Sequence, residues 1–290
     1  MNVRQFRVSR RSITIAAAFV GLVSLVLGAH AALNKRLPDA AAAATAVQND
    51  AGIKTARIAL VIGNGHYPDA NAPLTQPIND ARALTSALRR DGFDVDVVED
   101  ATRDDMARAV ERLKAKIKPD SVVMLYFGGF GVQVGRQSYM IPVDAAIWKE
   151  HDIRRDGISV EAVLDAMKDR GAHTKLVVID ASRRNPYERR FRGYSRGLAP
   201  IDVPDNALIL SSATPGKVAD DANGQNSLLV TELLKNLNAK PAGAEAVFSN
   251  TRVAVTRASD GEQVPAVSSS LVEEVPFGTG VASAVDKAGS

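Results

Sequence analysis

The sequence predicts an α/β fold, a mostly parallel sheet of about six strands with helices on both faces. Three observations point there. Short, continuously apolar runs at 58–62, 122–125 and 176–179 read as strands covered on both sides. Stretches with helical apolar spacing alternate with them in β-α-β-α order, which calls for parallel pairing through crossovers. A hydrophobic content of 46% and a charged content of 24% suit an ordinary globular domain.

Each element has its own local reason. Residues 57–62 form the first strand and end at Gly63-Asn64-Gly65. Residues 79–90 place Ala81, Leu84 and Leu88 on one helical face, and Gly92 stops that helix. Residues 93–98 read as a second strand. Thr102 followed by Asp105 is a helix start, with Met106, Val110, Leu113 and Ile117 as its apolar stripe. Residues 121–127 make a third strand, 160–167 a helix, 175–179 a fourth strand and 207–211 a fifth. Helices are expected at 228–237 and 245–256. In such sheets the functional loops gather at the carboxyl ends of the strands. That edge would carry 63–67, 128–133 and 180–186.

Charge and composition narrow the function classes. The chain has 290 residues and a net charge of +3, but residues 1–36 hold six basic residues and no acid. Taking those six from the 36 basic residues leaves 30 against 33 acidic ones, so the folded part is mildly acidic. A high isoelectric point therefore gives no reason to expect nucleic-acid binding. Aromatics are only 5%, so the core is built from aliphatic residues. The absence of cysteine excludes disulfides, thiolate metal sites and a cysteine nucleophile together. No histidine spacing suggests a metal, and no cofactor motif is present. Gly128-Gly129-Phe130-Gly131 lacks the Gly-Lys-Ser/Thr of a phosphate loop and reads as a tight turn.

Residues 1–33 read as an export signal or an amino-terminal membrane anchor. Arg4, Arg7, Arg10 and Arg11 precede an apolar run from Ile13 to Leu27, followed by Ala29-His30-Ala31 as a small-x-small site. Read on to Leu33, the run is long enough to span a bilayer. Either reading exports the main domain, to the periplasm or to the periplasmic side of the inner membrane. Residues 34–56 form an Ala-rich linker, 57–277 the main domain, and 278–290 a disordered tail.

Two loops carry a resemblance. Tyr126-Phe127-Gly128-Gly129-Phe130-Gly131 follows one apolar run, and Asp180-Ala181-Ser182-Arg183 follows another. Together they resemble the catalytic loops of caspase-like peptidases (metacaspases, peptidase C14), whose usual patterns are Tyr-Tyr-Ser-Gly-His-Gly and Asp-Ala-Cys-Arg. Further pieces agree in order: 58–64 with Tyr67, Asn79-Asp80-Ala81, Ser212-Ala213-Thr214-Pro215-Gly216 and Gln263-Val264-Pro265. The resemblance implies a caspase-like fold over roughly 57–277. It also implies that Phe130 stands at the histidine position, Ser182 at the cysteine position, and the amides of Gly131 and Ser182 at the oxyanion-hole positions. Gly128 stands where the family has serine.

A thiolate activated by an imidazole is what such a peptidase needs, and neither is present at these positions. The expectation is a degenerate dyad: an inactive domain that binds an unidentified protein or peptide at the cleft edge. Two alternatives stand beside it. One is a hydrolase using Ser182 with a non-standard base, for which His66 in the turn after the first strand is the candidate. The other is a structural envelope module. Arg183 and Arg184, with Arg189, Arg190, Arg192 and Arg196, read either as a patch for an acidic partner or as a solvated loop.

Overall fold

The computed structural model describes residues 55–68, 73–181, 183, 198, 200–218, 224–239 and 241–277. The expected signal or anchor at 1–33, the tail at 278–290 and all of the linker except Thr55 and Ala56 lie outside the described residues.

Six strands form the central sheet: β1 (Arg57–Gly63), β2 (Asp94–Glu99), β3 (Val122–Gly128), β7 (Thr174–Asp180), β8 (Ala207–Ser211) and β10 (Ala266–Ser269). Their order is β10-β8-β7-β3-β1-β2. All neighbours pair in parallel except β10, which runs antiparallel to β8. The expected count and the mostly parallel character thus hold, and the sixth strand is the antiparallel edge.

Alternation along each strand splits the core in two. Ala59, Val61, Met124, Tyr126, Leu176, Val178, Leu208 and Leu210 face α1 (Gln76–Arg90), α5 (Leu228–Leu237) and α6 (Ala244–Ala258). Leu60, Ile62, Leu125, Phe127, Val177, Ile179 and Ile209 face α2 (Arg103–Lys116) and α4 (Val160–Asp169). Runs that are apolar at every position follow from this double coverage.

The helix ends form where their signals stood. Gly92 has φ 82°, and the Phe93 amide donates to Leu88 O at 3.0 Å, closing α1. Thr102 and Asp105 make a reciprocal capping box at α2. A further cap, not read from the sequence, is Ser227, whose hydroxyl accepts the Val230 amide at the start of α5.

One piece was not expected from the sequence. Strands β4 (Gly131–Val134), β5 (Gln137–Met140) and β6 (Ile158–Ser159) form a separate antiparallel sheet, joined by α3 (Glu150–Asp156). Val132, Val134, Tyr139, Ile141, Ile147 and Ile153 close a third core beneath it, together with Phe130 and Tyr67.

Strand β11 (Pro276–Phe277) pairs with β9 (Ala242–Gly243) and returns the chain to its start. Arg57 lies between Phe93 and Phe277, 5.1 and 5.8 Å from the ring centroids. Its guanidinium donates to Asp91 O at 3.2 Å and to Pro276 O. This clamp closes the domain at the amino-terminal ends of the strands.

Candidate functional site

In register, Gly63, Gly128 and Asp180 end β1, β3 and β7 side by side. The order β2-β1-β3 means the chain leaves β1 for one neighbour and later returns on its other side. That reversal is where an open parallel sheet leaves a crevice at the carboxyl edge.

The first loop leaves β1 through Asn64, which is fully buried. Its amide donates to Gly128 O at 2.8 Å. Its side chain accepts from the Ala101 amide at 2.9 Å and donates to Ile141 O at 3.2 Å. Asp100, with φ 45°, accepts the amides of Gly65 and His66 at 2.8 and 3.0 Å. His66 Nδ1 lies 2.5 Å from Asp100 Oδ2. Partial burial opposes ionisation of Asp100, but the two amides and the imidazole hold its carboxyl below the usual range.

His66 is exposed, and its partner Asp100 follows β2. Strand β2 lies three places from β7 in the sheet, so the imidazole is tied to the side of β1 away from the second loop. At about 4.8 Å per strand this separates the β2 and β7 ends by roughly 14 Å.

The second loop starts at the end of β3. A Cβ on Gly128 would lie 2.7 Å from the Tyr126 hydroxyl, and one on Gly129 2.6 Å from that of Tyr67. The glycines therefore admit two tyrosines to the loop's underside, and the serine of the family pattern has no room at 128. Phe130 follows, and only 6% of it is exposed. Its ring packs on Tyr67, with centroids 4.8 Å apart and planes at 60°. Its amide donates to Tyr67 Oη at 3.0 Å, and that hydroxyl donates to Ile141 O, also at 3.0 Å. Phe130 is thus a member of the third core.

Backbone bonds join this loop to the end of β7. The Gly129 amide donates to Asp180 O at 3.3 Å, and the Gly131 amide to Ala181 O at 3.1 Å. A Cβ on Gly131 would lie 2.7 Å from Leu198 Cδ2 and 2.9 Å from Ala181 Cβ. The Gly131 donor that the resemblance assigns to an oxyanion hole is in this structure engaged by the chain itself. Ser182 lies outside the described residues, as do Arg184, Arg189, Arg190, Arg192 and Arg196. The structure brings the flanking residues Ala181 and Arg183 to the Phe130 loop. Arg183 departs from the solvated-loop reading. It is buried, its Nη1 donates to Gly129 O at 3.2 Å, and it lies 3.7 Å from Asp180 Oδ1.

Beneath both loops lie groups the sequence reading had not singled out as a site. Asp80 on α1, Tyr126 on β3 and Asp180 on β7 are buried together. Asp80 Oδ1 accepts from Asn226 Nδ2 at 2.8 Å and from the Ser227 amide at 3.0 Å. Asp80 Oδ2, Asp180 Oδ2 and Tyr126 Oη have no hydrogen-bond partner among the described residues. Burial, then the charge of Asp180, pushes the Asp80 carboxyl up to about 7. Burial, then the two carboxylates, raises the Tyr126 phenol well above its ordinary value. A signal was available: Asp80 shares the apolar face of α1 with Ala81, Leu84 and Leu88, where a carboxylate must be compensated.

Among the described residues no group of three or more His, Cys, Asp or Glu is placed to hold a metal ion, and no helix is long and apolar enough to cross a membrane.

The model of the Caspase domain of peptidase C14 matches residues 56–276. Two curated relatives are the human mucosa-associated lymphoid tissue lymphoma translocation protein 1 and its mouse homolog. Each is 29% identical over 134 residues, covering 46% of this chain and 16% of the relative's length. The chain thus corresponds to a small part of those relatives. With the family match running from before β1 to the start of β11, and a six-stranded, mostly parallel sheet presenting both loops at one edge, the chain belongs to the peptidase C14 caspase-domain family.

Proposed function

We propose that this caspase domain is a binding or regulatory module that does not perform cysteine-peptidase chemistry, and that it acts outside the cytoplasm. One observation carries the first part. The resemblance puts Phe130 at the position of the general base, and its ring is built into the third core. A phenyl ring cannot take a proton from a nucleophile, and one packed against Tyr67 is not free to leave for a neighbour that can. The nucleophile position holds Ser182, whose hydroxyl depends on an adjacent base more than a thiol does. What remains is the loop edge at the carboxyl ends of β1, β3 and β7, which we read as a surface for a protein or peptide partner. Export rests on the basic and apolar pattern of residues 1–33.

A second reading, hydrolysis by Ser182, draws on the His66–Asp100 pair. A carboxylate on Nδ1 is how a catalytic imidazole is oriented, leaving Nε2 to act as the base. The bond to Asp100 also holds His66 toward the β2 side, which weighs against that role.

The experiment is turnover of a broad peptide library by the purified protein, its Ser182→Ala variant and its His66→Ala variant. No turnover beyond that of Ser182→Ala is expected. Parent activity abolished by Ser182→Ala would overturn the proposal, and its loss in His66→Ala as well would establish the second reading.

A further inference from the structure

Behind the sheet, away from the two loops, an open groove of about 460 Å³ lies between the first turns of α6 and residues 271–275. Strand β10 runs antiparallel to β8, so the chain leaves it beside the start of β8, where the Ser270 amide donates to Ala207 O at 2.8 Å. The groove has the size of clefts that hold ligands, roughly 300–1,000 Å³. Ala246 and Ser249 form its helix wall, and Leu271 and Val272 the other. Val272 is 84% exposed, more than any other large apolar side chain among the described residues. The small side chains opposite leave it uncovered.

The rim is acidic. Glu245, Glu273 and Glu274 border the groove, and none of them has an ion pair or side-chain hydrogen bond among the described residues. Glu274 folds over Gly243, where an added Cβ would strike its carboxylate, at the positive end of α6. Glu245 and Glu273 are exposed. Two cations described in this part of the fold are engaged elsewhere: Arg252 donates to Pro265 O at 3.1 Å, and Arg57 to Asp91 O and Pro276 O. Lys240 and the tail after Phe277 lie outside the described residues. The three carboxylates are not placed to hold a metal ion. The backbone groups of Glu273 and Glu274 also make no hydrogen bond among the described residues.

An acidic rim around apolar walls selects its occupant. An acidic peptide or an anionic headgroup is repelled, whereas a lysine or arginine lays its stem along Leu271 and Val272 and sets its charge on the rim. Unpaired backbone groups at 273 and 274 suit a peptide chain better than a small cation. We propose that this groove docks a basic segment of a partner protein, with an apolar side chain of that segment against Leu271 and Val272 and its cations on Glu245 and Glu273. The site goes beyond the binding reading of the loop edge. It lies at the other end of the sheet and stands whether or not Ser182 reacts, and a partner held there leaves both loops open.

The test uses a dye-labelled leucine–lysine peptide of about twelve residues, titrated against the full chain at low salt and followed by anisotropy, with a leucine–glutamate peptide as the control. The leucine–lysine peptide should bind and the control should not. Amide NMR signals should shift at residues 245–249 and 271–275 and stay in place at Gly129–Gly131. Glu245, Glu273 and Val272 are exposed, so their variants should fold as the parent does. Joint Glu245→Lys and Glu273→Lys should weaken binding about tenfold, since two attractive pairs become repulsive. Val272→Ser leaves every charge in place and should weaken it about fivefold through the lost apolar contact. No binding by about 1 mM peptide, equal binding of the control, shifts confined to other surfaces, or parent-like affinity in either variant would each overturn the site.

Discussion

Truncating Phe130 to alanine empties the centre of the third core. The ring is 94% buried against its own full exposure, stacks obliquely on Tyr67, and shares its cluster with Val132, Val134, Tyr139, Ile141, Ile147 and Ile153. Losing a buried phenyl side chain costs about 3–5 kcal/mol, of which the aromatic pair accounts for roughly 1 kcal/mol. The loss should be local, because this core joins the β4–β5–β6 sheet and α3 to the main domain without belonging to either main layer. Trp148, the single tryptophan, follows Ile147 in that region and reports on it. In urea the Trp148 fluorescence transition should move down by about 1.5 M, taking a slope near 2.5 kcal/mol per molar for a domain of this size. The far-UV circular dichroism transition of the main sheet should move less. A Trp148 midpoint within 0.2 M of the parent (~0.5 kcal/mol at that slope) would refute the assignment of Phe130 to a structural role, and with it the main support for a domain without a general base.

Two further changes probe the site and the frame. Gly131→Ala places a methyl group 2.7 Å from Leu198 Cδ2 and 2.9 Å from Ala181 Cβ, so it should destabilise by about 1–3 kcal/mol in the same urea assay; unchanged stability would mean the two loops are not joined there. Arg57→Met keeps an apolar stem but loses the guanidinium bonds to Asp91 O and Pro276 O and the contact with both rings, and should cost about 1–2 kcal/mol while sparing exchange protection at Gly129–Gly131; a loss of that protection would contradict the separation of clamp and cleft.

How much could be read from the sequence depended on how each residue is covered. Strands buried on both faces advertise themselves, and residues 207–211 were expected and found with the same bounds because every position but the last is apolar and enclosed. The sixth strand was expected in number but not in place. Ala266–Ser269 is an edge strand with half-buried Ala266 and Val267 and exposed serines, and nothing in that composition distinguishes it from a loop. Strands β4 and β5 have four residues each, and β4 opens on Gly131, which reads as part of a tight turn. The Phe130 loop was legible because it follows an apolar run and matches a motif. Asp80 was legible as part of the Asn79-Asp80-Ala81 piece of the resemblance and as a carboxylate on an apolar helix face, but not as half of a buried pair. Its partners lie 146 and 147 residues away in a polar stretch, and no local pattern joins them.

The Arg57 clamp has a practical meaning for handling this domain. Because Arg57 opens β1 and Phe277 closes β11, the first and last strands meet through one guanidinium. The cleft lies at the far end of β1, seven residues on, or about 20 Å away. A dye, a resin or a fused reporter attached at either border of the domain therefore sits behind the sheet and leaves the two loops facing free solution. A short splice from 277 back to 57 would close the chain there, so that new ends could be opened at an exposed turn such as Gly135 without disturbing the floor of the cleft.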